Sequence, residues 1–259
     1  MAQPRLPVLL IAGCLILFSE SVIAQTDSVV LVGVGQIGTW STEVTGSNPS
    51  DSPLPARVFF EPRFEPPAAC PALCPVVYFD LAPHGAQSHS NLFGLLLAET
   101  TVTTVYVTPD AGKPLPSVRA RIVNSARPEQ VISVPAFRLS SLLALNPLSL
   151  SFPGAKRSAT SRTNLVLADL QEPNHPGGRG FSAQVEVYSS SGQSLSVASY
   201  SLGPGETHFL VDVLGQLGVE SLDVGQIHVR KTAGAGHLWG TMFTTSSDGA
   251  VTVSVGAHP

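Results

Sequence analysis

Residues 184–202, QVEVYSSSGQSLSVASYSL, contain the pattern that decides the fold. Gln184–Tyr188 alternates polar and apolar side chains, which predicts a strand whose two valines face inward. Ser191-Gly192-Gln193 supplies the flexible and polar residues of a tight turn, and Ser194–Leu202 continues as the returning strand. The stretch is therefore predicted to form an antiparallel β-hairpin.

Strands of the same kind recur around this hairpin. Further apolar and β-branched segments bounded by turn residues lie at Arg162–Leu170, Gln226–Arg230, His237–Thr245 and Val251–Val255. Ser247-Asp248-Gly249 has the composition of a hairpin turn. Strands that follow one another about every ten residues are typical of a β-sandwich. Only short helical turns are expected, at Asn91–Ala98, Leu139–Ala144 and Val211–Leu217.

The chain also repeats itself at an offset of 121 residues. The matched segments are Trp40–Glu43 with Ser161–Asn164, Leu81–Gly85 with Leu202–Glu206, and Val131–Val134 with Thr252–Val255. Ala56–Phe60 matches Ala183–Val187 at an offset of 127, which indicates a longer loop before this strand in the second copy. A period this long predicts duplicated domains rather than a solenoid.

The predicted architecture is all-β, with two tandem antiparallel β-sandwich domains of the immunoglobulin or fibronectin kind. The boundaries are a signal peptide at 1–24, domain 1 at 25–136, an apolar linker at 137–148 and domain 2 at 149–259. The linker is too apolar for a free tether, so its leucines are expected to dock the domains together; they are Leu142, Leu143, Leu145 and Leu148.

A resemblance follows from these motifs. The opening strands contain Thr39-Trp40-Ser41-Thr42 and Arg162-Thr163-Asn164-Leu165, Leu202–Glu206 lies in the middle of the second copy, and Ser247-Asp248-Gly249 closes it. The plan resembles uncharacterised secreted bacterial proteins built of tandem β-sandwich repeats. Because the shared motifs are structural turns, the resemblance implies a fold and no activity or functional residue.

The first 24 residues have the features of a secretory signal. Arg5 precedes the apolar run Leu6–Phe18, and Ala24 is a small residue before a cleavage point at Gln25. Two alternatives are a retained membrane anchor and a lipoprotein signal, in which Ile11–Cys14 forms a lipobox with lipidated Cys14. We expect a secreted protein, extracellular or periplasmic, with no membrane span in the mature chain.

The two cysteines of the mature chain, Cys70 and Cys74, are expected to form a local disulfide in an oxidising compartment. One alternative is a zinc site in which His84 and His89 complete the ligand set. Pro83 and Gly85 flank the first histidine and disfavour the helix that such a finger requires. Free thiols are the remaining alternative.

Composition and motifs exclude several function classes. A net charge of −4 and a pI near 5.9 leave no basic stripe for nucleic acid. Gly33-x-Gly35-x-x-Gly38 matches the dinucleotide fingerprint, but the β-branched and turn-forming residues 39–49 follow it where a helix is required. The prediction is a Gly-rich turn between strands, with no nucleotide, metal or other cofactor.

Candidate ligand-binding residues come from arginines and aromatic side chains. Arg119 and Arg121 share one face of a predicted strand, and Tyr106 is expected near them on a paired strand, a combination that holds acidic or sugar ligands. The alternative is that these arginines lie on the solvent-exposed face of an antiparallel sheet and bind no ligand. Trp40 and Trp239 are candidate platforms for sugar stacking, with core or edge packing as the alternative.

Three functions remain open. The first is a non-enzymatic secreted structural or interaction protein with an unknown protein or glycan partner. The second is a carbohydrate- or cell-surface-binding module that uses the tryptophans. The third is a secreted hydrolase with an unrecognised Ser/His/Asp triad. Asp80, His84 and His89 are also close enough in sequence for a minor metal site, with solvated loop side chains as the alternative.

Overall fold

The structure, a computed structural model, describes residues 27–60, 76–93, 101–171, 180–247 and 250–256 of the chain. The protein is all-β, and its strands form four antiparallel sheets arranged as two tandem β-sandwiches. The predicted fold class is therefore confirmed. In the ranges that are described, no helix has the length and hydrophobicity needed to cross a bilayer.

The first sandwich consists of nine strands. They are β1 (Val29–Gln36), β2 (Trp40–Ser47), β3 (Leu54–Phe60), β4 (Val77–Leu81), β5 (Ala86–His89), β6 (Thr101–Pro109), β7 (Ser117–Asn124), β8 (Arg127–Val134) and β9 (Ala136–Arg138). Sheet I has the order β5-β2-β7-β8, and sheet II has the order β4-β3-β6-β1-β9.

The second sandwich follows a short helix, α1 (Leu139–Leu145). Its elements are β10 (Ser149–Arg157), β11 (Ser161–Leu170), β12 (Phe181–Ser189), β13 (Ser194–Leu202), β14 (Thr207–Leu210), α2 (Val213–Gln216), β15 (Leu222–Gly234), β16 (His237–Ser246) and β17 (Val251–Val255). Sheet III has the order β14-β11-β16-β17, and sheet IV has the order β10-β15-β12-β13.

The two sandwiches have the same strand order. Strands β1–β8 correspond one by one, in chain order, to strands β10–β17. Under this correspondence sheet I has the strand order of sheet III, and four strands of sheet II have the order of sheet IV. Irregularities recur as well. The register of β1 shifts at Gly33, which has a φ of 81°, and the register of β10 shifts at Gly154, which has a φ of 86°. These glycines are 121 residues apart.

A buried threonine bridges the first two strands of each sandwich. The hydroxyl of Thr42 accepts a hydrogen bond from the N–H of Gly35 at 2.9 Å and donates one to its carbonyl at 2.7 Å. Thr163 makes the same pair of bonds with Lys156, at 2.9 and 2.8 Å. Each hydroxyl satisfies two backbone groups that the bulged strand leaves without a ladder partner.

The sandwiches are stacked with sheets II and III face to face. Alternate residues of β11 belong to different cores: Val166, Ala168 and Leu170 pack toward the first sandwich. Leu165 and Leu167 pack toward sheet IV. Strands β1 and β11 are buried on both faces for this reason, which explains the apolar runs Val29–Val32 and Leu165–Ala168 within them.

The linker leucines contribute less to this docking than the sequence predicts. Helix α1 ends at Asn146, which adopts a left-handed conformation with a φ of 31°. Leu142 is buried and Leu143 packs partly against the first core. Leu145 and Leu148 are 56% and 66% exposed. The expectation that all four leucines dock the domains is wrong, because the inner sheets supply most of the apolar surface.

The predicted helical turns are present where the chain is described. Helix α1 covers the Leu139–Ala144 prediction, and α2 lies inside Val211–Leu217. The part of Asn91–Ala98 that is described, Leu92–Phe93, is helical. Asn91 and Asp212 precede these last two turns and both have positive φ, 54° and 46°.

The glycine fingerprint forms a strand, a turn and a second strand, as the residues after it predict. Gly33 lies inside β1, and a two-residue turn follows Ile37 before β2. A Cβ atom at Gly33 would lie 3.1 Å from the ring of Phe243 in sheet III. Gly33 therefore allows both a left-handed backbone and close approach of the second sandwich.

Candidate functional site

A groove of about 580 Å³ opens between the two sandwiches, at the end where β1 turns into β2. Its apolar surface comes from both sandwiches, through Ile37, Trp40, Val102, Ile122, Ile132, Phe209, Val211, Phe243 and Val251. Its hydroxyl groups come from the second sandwich alone, through Ser158, Thr160, Ser161, Thr245, Ser246 and Ser247. The volume lies in the range of small-molecule sites.

Trp40 is held at the mouth of the groove by the β1–β2 turn. The N–H of Ile37 donates to the carbonyl of Trp40 at 3.0 Å, and the N–H of Trp40 donates to the carbonyl of Ile37 at 2.9 Å. The indole is half-buried. A rigid hairpin therefore presents one aromatic side chain, partly open to solvent, to the space between the sandwiches.

The opposite wall is the β10–β11 hairpin. The N–H of Ser158 donates to the carbonyl of Ser161 at 2.9 Å, which closes the turn. The N–H of Ser247 donates to the carbonyl of Thr160 at 2.6 Å, which ties this hairpin to the β16–β17 connection. Two turns of the second sandwich thus hold the hydroxyl-rich side of the groove in place.

Buried amides support both walls. Asn124 donates from Nδ2 to Oε1 of Gln130 at 2.8 Å and accepts from the N–H of Ala126 at 3.0 Å. In the second sandwich, Oδ1 of Asn164 accepts from the N–H of Asp212 at 2.9 Å. Both asparagines are only 7% exposed. Their bonds join the loops at this end of the sandwiches to the strands and satisfy polar groups that are buried there.

The charge of the groove is opposite to that of the whole protein. Arg127 and Arg162 line it, one from each sandwich, and both are exposed. Among the described residues that form the lining, none is Asp or Glu. The chain as a whole carries a net charge of −4. An acidic group on a ligand would therefore meet two guanidinium groups and no repelling carboxylate.

The predicted cluster of Arg119, Arg121 and Tyr106 is not assembled. Tyr106 is fully buried between sheets II and III, where it stacks on Phe59 with ring centroids 5.6 Å apart. Its hydroxyl oxygen lies 3.5 Å from the backbone nitrogen of Gln171. Strand β6, which carries Tyr106, does not pair with β7, which carries the arginines. The expected proximity is corrected, because β6 faces the second sandwich.

The two arginines lie on the solvent side of sheet I. Arg121 forms an ion pair with Glu43 on β2, with 2.8 Å between Nη2 and Oε2. Arg119 is exposed beside it and lines a depression of about 610 Å³ that also includes Thr45 and Ser133. Cross-strand pairing of this kind is typical of the solvent-exposed face of an antiparallel sheet.

The two tryptophans have different surroundings. Trp239 is 5% exposed and packs edge-on against Phe137, with ring centroids 5.4 Å apart and planes at 69°. This is the core packing that the sequence left open as the alternative to ligand stacking. Trp40 is thus the tryptophan that borders the groove.

The two histidines, His84 and His89, have separate partners. His84 Nε2 lies 2.8 Å from Oδ1 of Asp51, and His89 Nε2 donates to the carbonyl of Tyr78 at 3.2 Å. No group of three or more His, Cys, Asp or Glu residues suited to a metal ion occurs in the part of the chain that is described. Cys14, Cys70 and Cys74 lie outside the described residues, and so do the predicted lipidation, disulfide and zinc ligands that depend on them.

The sequence named Trp40 as a candidate binding residue, and Trp40 borders the groove, but the sequence did not indicate Phe243, Arg127 or Arg162. These side chains line one groove only because the two sandwiches stack, and no local motif records that arrangement. The one signal was Gly33, whose positive φ and missing side chain allow the contact with Phe243.

Comparison with known proteins adds no family. No protein-family model matches the chain, and no curated protein matches it either. A solved structure of the CupB2 chaperone from Pseudomonas aeruginosa aligns with 86% of this chain and 94% of its own, at 14% identity. The TM-score is 0.17, which is too low to support an argument about fold or function.

Proposed function

We propose that this is a non-enzymatic secreted interaction protein that binds its ligand in the groove between its sandwiches. The observation that carries the proposal is the lining: an apolar surface from both sandwiches, two arginines, and no carboxylate among the described lining residues. The ligand class that fits is a molecule or protein segment with an apolar body and an acidic group.

The apolar part of the groove would supply most of the affinity. Burial of apolar surface contributes roughly 25 cal/mol per Å². Trp40 and Phe209 are the partly exposed aromatic side chains of the lining, and they come from opposite sandwiches. Arg127 and Arg162 would orient the acidic group and exclude ligands that carry a positive charge there.

Anilinonaphthalene sulfonate is a suitable probe because it combines an aromatic body with an acidic group. We expect saturable binding at one site per molecule, with energy transfer from Trp40. Replacing both groove arginines, Arg127→Ser with Arg162→Ser, should weaken binding about tenfold or more, since hydrogen bonds to charged groups contribute about 1.5–3 kcal/mol each. Titration followed by fluorescence measures the affinity.

The matched control removes the same charge elsewhere. Arg119→Ser with Arg230→Ser takes one exposed arginine from each outer sheet and should leave the affinity within about twofold. Equal weakening by both double variants would mean that the probe responds to net charge alone. That result, or binding without saturation, would contradict a site in the groove.

A carbohydrate ligand is the second candidate, and Trp40 favours it. A half-buried indole at the mouth of a hydroxyl-lined groove is suited to stacking on a sugar ring. A glycan array separates the two candidates. Neutral glycan binding that is lost in Trp40→Ala but retained in the groove-arginine double variant would favour carbohydrate recognition.

Secretion is supported by the first 24 residues, whose composition is that of a cleaved signal. We expect an N-terminus at Gln25 in the mature protein. Mass spectrometry of the exported chain tests this, and an N-terminus at lipidated Cys14 would instead mean attachment to a membrane.

Duplication of one ancestral sandwich accounts for the recurrence along the chain. The bulge glycines Gly33 and Gly154 and the bridging threonines Thr42 and Thr163 recur at the 121-residue offset found in the sequence. A shared strand order by itself does not require common descent, because it can also arise by convergence. Recurrence of buried irregularities at one offset supports descent from a single unit.

A further inference from the structure

Strand β13 is an edge strand with no charged residue. It consists of nine residues, Ser194–Leu202, and it pairs with β12 on one side only among the described strands. Its sequence contains no proline, lysine or other charge. Leu195 and Val197 are 40% and 55% exposed. Such a strand presents unpaired backbone groups to solvent in a form ready for pairing.

The other edge strands of the four described sheets are protected. Five of them, β4, β5, β9, β14 and β17, have five residues or fewer. Strand β8 begins with Arg127, Pro128 and Glu129. Strand β10 contains Pro153 and two shifts of register, and it ends in two basic residues. Short length, charge, proline and bulges are the devices that normally prevent edge pairing.

We propose that β13 pairs with β13 of a second copy of this chain, which joins the two sheets IV edge to edge. Antiparallel pairing about a two-fold axis at Ala198 would place Val197 beside the partner's Ser199 and Leu195 beside the partner's Ser201. These contacts are reciprocal, as a two-fold dimer requires. Alternating small hydroxyl and apolar side chains fit one another without a clash of charge.

Charge does not oppose this pairing. No acidic residue lies on β13 itself, and Glu186 lies on the neighbouring β12, in register with Val197. Strands are spaced about 4.8 Å apart, so the two Glu186 carboxylates would be separated by three strand spacings, about 14 Å. That distance exceeds the Debye length of about 8 Å at physiological ionic strength. The repulsion that opposes pairing at charged edges is therefore weak here.

The test compares two lysine substitutions on the same face of sheet IV. Val197 lies on the edge strand, whereas Val224 lies on β15, two strands inward, with a similar exposure of 49%. Sedimentation of the purified protein should detect dimers, and Val197→Lys should raise the dimer dissociation constant about a hundredfold or more, because like charges then meet across the axis. Val224→Lys should leave it within about threefold.

Hydrogen exchange provides a second measurement. Amides of β13 should become more protected as protein concentration rises, and this increase should disappear in Val197→Lys. A protein that stays monomeric at every concentration would overturn the proposal. A monomer that captures a foreign extended peptide without forming a dimer would overturn it as well. A dimer that survives Val197→Lys, or one lost equally in both variants, would also overturn it, since the interface would then lie elsewhere.

Discussion

Asn48 and Asp169 occupy the same position in the two sandwiches but differ in chemistry. They are 121 residues apart, at the ends of β2 and β11, and they are 2% and 0% exposed. The N–H of Asn48 donates to the carbonyl of Gly85 at 2.9 Å, and the N–H of Asp169 donates to that of Glu206 at 3.0 Å. The backbone arrangement is thus the same in both.

The surroundings of the two side chains differ at one end. Nδ2 of Asn48 donates to the carbonyls of Ser52, Leu81 and Ala82, at 2.8, 3.3 and 3.1 Å. The Asp169 carboxylate accepts from the N–H groups of Gly205 and His237, at 3.1 and 2.7 Å, and from the side-chain amide of Gln171. Oδ1 of Asn48 accepts from the N–H and the hydroxyl of Ser50, at 2.9 and 2.7 Å. The Asn48 site therefore offers acceptors to one end of the side chain and donors to the other, whereas the three partners of the Asp169 carboxylate are all donors.

The comparison teaches that a repeated backbone position requires a polar side chain, while its neighbours determine which one. Three backbone segments meet at each site, and their polar groups are buried there. An unsatisfied buried group costs about 1–3 kcal/mol, so the side chain must have the complementary hydrogen-bonding capacity. Placing each residue at the other position therefore tests this explanation most directly.

Asn48→Asp is expected to have the largest effect. One carboxylate oxygen keeps the two Ser50 donors, but the other replaces Nδ2 and faces three carbonyl oxygens. An unsatisfied buried group costs about 1–3 kcal/mol and more when it is charged, so the free energy of unfolding should fall by about 3 kcal/mol at neutral pH. Urea denaturation measures the loss.

Acidification separates this cause from a general packing defect. The protonated carboxyl can donate one hydrogen bond to a carbonyl, so Asn48→Asp should recover stability relative to wild type as the pH falls. A loss below about 1 kcal/mol, or a loss that is the same at every pH, would contradict the acceptor-lined pocket.

Asp169→Asn is the reciprocal exchange and should have a smaller effect than Asn48→Asp. The amide has one acceptor oxygen and would direct its NH₂ group toward at least one of the donors Gly205, His237 and Gln171. The expected loss is about 1–2 kcal/mol at neutral pH. An unchanged free energy of unfolding would mean that the loops rotate their N–H groups away.

The same variant reveals the titration of Asp169. Burial raises the pKa of this carboxyl from its ordinary 3.8, against the opposing effect of the backbone N–H groups of Gly205 and His237. A raised pKa means that the folded protein favours the protonated form. The stability it contributes is full below the unfolded-state value and is lost as the pH rises through the folded-state pKa.

Wild type should therefore lose part of its advantage over Asp169→Asn as the pH rises from about 3.8. Other carboxyls, including Glu206, cancel in the difference between the two proteins. An advantage that grows with pH over this range would show that the three hydrogen bonds outweigh the desolvation of the carboxylate.

Gly33 and Gly154 give a matched pair with a smaller difference. Both have positive φ, but a Cβ atom at Gly154 would meet nothing within 4 Å, whereas one at Gly33 would press on Phe243. Gly154→Ala should cost about 1 kcal/mol through backbone strain alone. Gly33→Ala should cost about 2–3 kcal/mol, since it also separates the sandwiches. Equal losses would mean that Phe243 moves aside freely.

Local structure was accessible from the sequence because short-range patterns determine it. Alternation in Gln184–Tyr188 and the Gly192 turn predicted β12, β13 and their hairpin, and Gly192 has the expected positive φ of 81°. The leucine segment that ends at Asn146-Pro147 forms helix α1 with a left-handed cap at Asn146.

The groove and the stacking were not accessible in the same way. Period-two alternation states that successive side chains point to opposite faces, but it does not state which face meets which sheet. Tyr106 was therefore assigned to the wrong surroundings. A nearly continuous apolar strand such as β1 is typical of burial on both faces, but this inference was not drawn from the sequence, and nothing local identified sheet III as its second neighbour.

Substitutions of Thr42 and Thr163 should differ least in their effects on the free energy of unfolding. Both are fully buried, and each hydroxyl satisfies one N–H and one carbonyl of the preceding strand at nearly equal distances. Valine keeps the shape but leaves both backbone groups without that partner, so each substitution should cost about 1–3 kcal/mol. Because the local geometry is the same, we expect the two losses to agree within about 0.5 kcal/mol, near the limit for independent sites.

Thr163 also lies 3.3 Å from the hydroxyl of Thr244, which adds a weak bond that Thr42→Val does not test. A loss more than 1 kcal/mol larger at Thr163 would assign real energy to that bond, and Thr244→Val would then remove the excess.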